Sequence, residues 1–206
     1  MLTLMKDFFE ITYLKETNKL PIVLSPKQAT DAKNLTKVLS DSAPKIKDIL
    51  IKNGGILLRG FELKDVQDFK LVSTALLIEK VAYVEGQSPR TKVEKSNIYT
   101  STEYASNQEI TLHSELSYAQ NPPSRILFFC QTPPDNDGET PIIDNRNALR
   151  QIPKWLIQKF EDKGGVMYLK NLPKSTSFLG KSWSDYFENN DKKEISEYLV
   201  SNNINY

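Results

Sequence analysis

The middle of the chain is cut by Pro122-Pro123 and Pro133-Pro134 into apolar runs too short to be helices. Ile110 to Glu115 reads as extended. Arg125 to Gln131 reads as a strand, Pro133 to Gly138 as a turn, and Glu139 to Ile143 as another strand. Helical patterns lie on both sides. Ser25-Pro26 reads as an N-cap and first helical residue. A helix is expected over Pro44 to Lys52, with Ile46, Ile49 and Leu50 at helical spacing and Gly54-Gly55 as its stop. Ile56 to Phe61 reads as a short buried strand and Val66 to Glu79 as a further helix. The polar stretch from Pro89 to Glu109 reads as loops with a short strand near Ile98-Tyr99. Asn147 to Asp162 is expected to be helical, entered through Pro153 and closed by Gly164-Gly165. Asp185 to Asn202 should hold one or two helices. Helices, then strands with large loops, then helices again suit an α+β or mainly β core with helical decoration.

At 206 residues the chain can bury a sizeable core in one domain, expected to span 1–206. Lys and Arg total 27 against 26 Asp and Glu, a net charge of +1, which makes no electrostatic case for nucleic acid or an anionic membrane. Met1 to Phe9 carries Lys6 and Asp7 and is not read as a signal peptide. No apolar stretch approaches the roughly 20 residues of a membrane span. Cys130 is the single cysteine, so no intramolecular disulfide can form and a cytoplasmic setting is expected. Its place in Ile126-Leu127-Phe128-Phe129-Cys130 predicts a buried, inert thiol.

Chemistry concentrates at His113-Ser114-Glu115, which holds the one histidine of the chain. An imidazole and a carboxylate two residues apart on an extended segment share a face. They are two of the three ligands of a 2-His-1-carboxylate iron site, and the third, a second histidine, is not in the sequence. The alternative is a hydrogen-bonded histidine beside a solvated glutamate.

Several runs resemble one family. They are Gly54 to Phe61, Ser88-Pro89-Arg90, Tyr99 to Tyr104, Leu112-His113-Ser114-Glu115-Leu116-Ser117-Tyr118, Pro123, Phe128-Phe129-Cys130, and Gly138-Glu139-Thr140-Pro141-Ile142-Ile143-Asp144. Together they are similar to the taurine dioxygenase / clavaminate synthase-like (TauD/TfdA-like) superfamily of Fe(II)- and 2-oxoglutarate-dependent oxygenases. The glutamate in the triplet resembles the clavaminate synthase-like branch. The resemblance is good over about 54 to 160 and weaker beyond.

It implies His113 and Glu115 as metal ligands and Thr140 as a donor to 2-oxoglutarate. The cosubstrate would be oxidised to succinate and carbon dioxide while a C–H bond of a small polar or amino-acid-like substrate is oxidised. The implied fold is a double-stranded β-helix (jelly roll) with N-terminal helices and a C-terminal helical insertion. It is incomplete here, because the family's distal histidine and the arginine that pairs with 2-oxoglutarate have no matching positions. A fragment, an interrupted gene and half of a shared site are the three explanations. Open sheet edges would then invite self-association. The alternative function is a non-catalytic remnant or interaction module of the same fold.

Other residues keep two readings each. Arg59 and Arg125 can meet an anionic group or make structural ion pairs, and Glu109 and Ser101 can line a pocket. The aromatic group Phe178, Trp183, Tyr186 and Phe187 is either a lid or the packing of the insertion.

Overall fold

The computed structural model describes residues 7–17, 19–77, 86, 90–93, 97–101, 103, 109–176 and 180–206. These divide into two compact units, one drawn from 1–79 and 127–151, the other from 80–126 and 152–206.

The first unit is built on a three-stranded mixed sheet in the order β1 (Phe9–Tyr13), β2 (Ile22–Pro26), β3 (Ile56–Leu58). β1 pairs antiparallel with β2, with Phe9 opposite Pro26 and Tyr13 opposite Ile22. β2 pairs parallel with β3, from Ile22↔Ile56 to Leu24↔Leu58. A parallel pair needs a long crossover, and here it consists of α1 (Ala32–Asp41) and α2 (Ala43–Asn53). As the central strand, β2 buries Ile22, Val23 and Leu24 in succession, an unbroken apolar run in place of alternation.

Local chemistry sets the helix ends. The Asp31 side chain accepts the Asn34 amide at 2.8 Å and starts α1. The buried Ser42 joins α1 to α2, its amide donating to the Val38 carbonyl and its carbonyl accepting from Ile46. Gly54 ends α2 at φ 81°, a left-handed cap that favours glycine, with its amide on Leu50 at 2.7 Å. In α3 (Val66–Leu76), Asp65 accepts the amides of Gln67 and Asp68 while the Asp68 carboxylate accepts the Lys64 amide, so both ends of the first turn are held. Leu35 and Leu39, one turn apart on α1, join Phe9, Leu24, Ala32, Ile46 and Val72 in one core.

From 127–151, Phe129 stacks on Phe69 at 5.3 Å. The Arg146 side chain, at the start of α4 (Asn145–Gln151), grips both Asp144 carboxylate oxygens and donates to the carbonyls of Ile51 and Lys52 at 3.2 and 3.3 Å. A cation thus sits on the carbonyl end of α2, where the helix dipole favours it.

The second unit holds α5 (Lys154–Glu161), α6 (Trp183–Phe187) and α7 (Lys192–Ser201). Gly164 and Gly165 close the turn after α5, donating to Glu161 and Phe160 carbonyls. The buried Ser182 caps α6 through the Asp185 amide, and Asp191 caps α7 through the Lys193 and Glu194 amides. Tyr186, Ile195 and Leu199 are its buried apolar side chains among the described residues.

Several expectations are corrected. Ser25-Pro26 does not open a helix. It ends β2, where a proline without an N–H and an extended residue before it are both at home, and Asp31 supplies the cap instead. The strand from Ile56 stops at Leu58. The single helix over Asn147 to Asp162 is two, α4 and α5, because Pro153 lacks the N–H to continue the first and serves as N-cap of the second. The helix from Val66 reaches Leu76, and 78–79 lie outside the described residues. Lys92 and Tyr99 make an isolated antiparallel bridge near the expected strand at Ile98-Tyr99, while 89, 94–96, 102 and 104–108 lie outside the described residues.

The strands expected at 125–131 and 139–143 are not formed among the described residues, and the extended stretch from Ile110 joins no ladder. Residues 123–130 keep the alternation of a strand, half-buried and exposed in turn. A strand also needs a neighbour for its amides and carbonyls, and no described segment pairs with it. Cys130 falls on the exposed set, so the buried thiol is not borne out. Phe128 on the first of these runs is 60 % exposed, and in the second unit Met167 is 93 % exposed.

Candidate metal centre

His113 and Glu115 are brought together on the second unit. His113 lies in an irregular segment, and Glu115 opens a turn that runs to Tyr118. Ser117 donates to the Ser114 carbonyl and Ala119 to the Leu116 carbonyl, with Leu116 at φ 50°. The turn swings the carboxylate back, so Glu115 Oε2 faces His113 Nε2 at 3.8 Å. Tight turning rather than a paired strand creates the juxtaposition.

Each group is oriented by a partner. His113 Nδ1 is 2.8 Å from the Thr111 carbonyl oxygen. A carbonyl only accepts, so the neutral ring carries its proton on Nδ1 and presents the Nε2 lone pair toward Glu115. Glu115 Oε2 accepts a hydrogen bond from Arg90 Nη2 at 3.0 Å, and the Arg90 and Glu115 side chains are 11 % and 19 % exposed against 53 % for His113. The pair is therefore seated on one side and open on the imidazole side.

Aromatic packing fixes the far end of the turn. Tyr118 stacks on Tyr168 at 5.2 Å, and Lys170 Nζ lies 6.0 Å from the Tyr118 ring centre and 4.5 Å from that of Tyr186. Burial, followed by repulsion from Lys181, pushes the Lys170 ammonium below its ordinary pKa. The Asn121 amide donates to Asn202 Oδ1 at 2.7 Å and joins the following loop to the end of α7.

Two donor atoms each about 2.1 Å from a shared ion stand at most about 4.2 Å apart, so the 3.8 Å spacing lets one divalent cation meet both. An imidazole nitrogen and a carboxylate oxygen fit Fe(II) among the metals this donor type selects. The described residues hold no group of three or more His, Cys, Asp or Glu suited to a metal, so they bring two protein ligands and no third.

Thr140 is exposed and belongs to the first unit. Arg59 is exposed, and its amide donates to the Leu24 carbonyl in the sheet. Glu109 and Ser101 are exposed, and Arg125 is half-buried. Phe178 lies outside the described residues. Tyr186 is buried, with Phe187 edge-on to it and to Tyr198, so this part of the aromatic group is packing. Sequence reasoning missed Arg90 as a partner of Glu115. The Ser88-Pro89-Arg90 run was its only signal, 25 residues from the carboxylate.

Residues 21–197 match the family described as taurine catabolism dioxygenase TauD, TfdA. The chain belongs to this family of Fe(II)/2-oxoglutarate-type oxygenases, whose members generally use both cofactors. It is 35 % identical over 159 residues to the dapdiamide synthesis protein DdaC of Enterobacter agglomerans, covering 77 % of this chain and 47 % of that protein. It is 28 % identical over 198 residues to a clavaminate synthase-like protein of Arabidopsis thaliana, covering 90 % of this chain and 59 % of the relative. The chain thus spans about half the length of the curated relatives it matches. No described helix is long and apolar enough to cross a membrane.

Proposed function

We propose that this chain carries the metal-binding part of an Fe(II)/2-oxoglutarate-dependent dioxygenase that oxidises a small polar or amino-acid-like substrate. The observation that carries the reading is His113 Nε2 facing Glu115 Oε2 at 3.8 Å, with the opposite ring nitrogen on the Thr111 carbonyl. His113 and Glu115 would hold Fe(II), which, when bound, supplies the oxidation of 2-oxoglutarate and of the substrate C–H bond. These 206 residues supply one imidazole to that site, since His113 is their only histidine. Thr140 donates its hydroxyl to 2-oxoglutarate in this reading, supported by its place in the Gly-Glu-Thr run of a family member.

The protein's own contribution is to orient ligands. The Thr111 carbonyl holds the imidazole in the tautomer that offers Nε2, and Arg90 holds the carboxylate. The reading takes both units as parts of one oxygenase domain of jelly-roll type, supported by a family match that runs over 21–197. The reading includes a cytoplasmic setting, supported by the single cysteine, and self-association through the uncovered apolar strips around Phe128 and Met167.

The two-ligand count favours a second reading, a non-catalytic member that keeps the fold without the reaction. Titration with Mn(II), followed by calorimetry, separates the two. Stoichiometric binding abolished by His113→Ala and by Glu115→Ala, and strengthened by 2-oxoglutarate, supports the oxygenase. Absence of binding supports the non-catalytic member and sinks the oxygenase reading for this chain.

A further inference from the structure

Arg90 meets the carboxylate oxygen of Glu115 that faces His113. Nη2 of Arg90 lies 3.0 Å from Oε2 of Glu115, and that same Oε2 lies 3.8 Å from Nε2 of His113. The contact joins residues 25 apart in sequence, so it is not the by-product of a local turn. Both side chains are largely covered, at 11 % and 19 % exposure. The guanidinium donates to this oxygen through Nη2 and so restrains the carboxylate it meets.

A carboxylate oxygen has two lone pairs. With one given to Arg90, Oε2 still has one to offer toward His113, and the carboxylate is stopped from swinging away into solvent. Free rotation of a glutamate side chain spreads its carboxylate over many positions, and ordering it on metal binding costs side-chain entropy. An ion pair that holds the carboxylate beforehand removes that cost.

We propose that Arg90 is a positioning residue for the metal site, holding the Glu115 carboxylate beside His113 before a metal arrives. This deepens the proposed function and rests on it, since it requires that His113 and Glu115 bind a cation. A merely structural ion pair would support the fold of 90–118 and leave the metal untouched.

The test uses the full chain with Mn(II), read by electron paramagnetic resonance, and with Co(II), read by its visible absorption, in the unmodified protein and in Arg90→Ala, Arg90→Gln and Arg90→Lys. Arg90→Ala weakens Mn(II) binding roughly 10–100-fold, the range found when partners of metal ligands are removed, and alters the Co(II) spectrum. Arg90→Gln keeps a donor and Arg90→Lys keeps a charge, so each recovers part of the loss. These two also keep the question answerable if the alanine variant does not fold. In a Glu115→Ala background, Arg90→Ala brings no further weakening, because the carboxylate through which it acts is gone.

Mn(II) affinity and a Co(II) spectrum unchanged by Arg90→Gln and Arg90→Lys, in a protein whose binding depends on His113 and Glu115, overturn this inference and leave the proposed function standing. Equal weakening by Arg90→Ala with and without Glu115 overturns it in the same way. An unmodified chain that takes up neither ion overturns both.

Discussion

The Thr111 carbonyl oxygen stands 2.8 Å from His113 Nδ1, so a backbone group two residues upstream selects the imidazole tautomer. Nothing about the threonine side chain enters. The turn from Glu115 to Tyr118 then places a carboxylate oxygen opposite the other nitrogen. The expected outcome is a neutral His113 protonated on Nδ1. Long-range nitrogen–proton NMR at alkaline pH, where imidazole is neutral, shows a protonated Nδ1 and a bare Nε2. A ring protonated on Nε2 contradicts the arrangement. On adding Zn(II), a redox-silent probe, the Nε2 resonance is the one that shifts.

The core of the first unit rests on α1, and Leu35 is among its largest fully buried side chains. Leu35→Ala removes three heavy atoms from a site enclosed by β2 and the neighbouring helices, and is expected to destabilise by about 2–5 kcal/mol. Ile11, on the exposed side of β1, is the control, with an expected change within about 0.5 kcal/mol for Ile11→Thr. Urea unfolding of both variants checks the pair. Equal effects would show that the sheet and α1 do not share a core.

These elements were legible to different degrees for physical reasons. α2 and its glycine stop could be read because Ile46, Ile49 and Leu50 repeat at helical spacing and Gly54 adopts a left-handed φ. β1 passed unnoticed because only Phe9 of its five residues is buried, leaving almost no apolar pattern. Ser25-Pro26 misled because serine before proline suits a strand end as well as a helix start. The apolar runs at 125–131 and 139–143 are bounded by turn residues as strands are, but pairing is a property of two segments, and one segment's composition cannot supply its neighbour. At the site, His113 and Glu115 were legible as chemistry-bearing residues close in sequence. Arg90 is distant, and the Thr111 contribution comes from a carbonyl that every residue possesses.

Asp65 starts α3 by accepting two amides, at 2.9 Å from Gln67 and 3.1 Å from Asp68. Asp65→Ala leaves those donors to water and is expected to cost about 1 kcal/mol, within the range of about 0.5–2 kcal/mol for lost caps. Asp65→Asn keeps an acceptor and should recover most of it. Chemical denaturation compares the three proteins. An alanine variant as stable as the parent would mean that α3 is held by its packing on the core through Val72 and its neighbours Leu71, Ala75 and Leu76.

The last prediction concerns acid. Hydrogen bonds from the Arg146 guanidinium, then from its backbone amide, hold the Asp144 carboxyl below its ordinary pKa of 3.8. A carboxyl whose folded pKa is depressed binds its proton more readily when unfolded, so its contribution is fully present above 3.8 and is lost as pH falls through the lower folded value. Asp144→Asn should therefore lower the melting temperature by an amount that stays constant from neutral pH down to about 3.8, and the gap to the parent should narrow in stronger acid. Arg146→Ala removes the same pairing and also uncovers the carbonyls of Ile51 and Lys52. Its loss should exceed that of Asp144→Asn at neutral pH and persist in acid, since the carbonyl contacts do not titrate. Melting curves across the acid range check both. Identical pH profiles for the two variants would show that Arg146 acts only through Asp144 and does not cap α2.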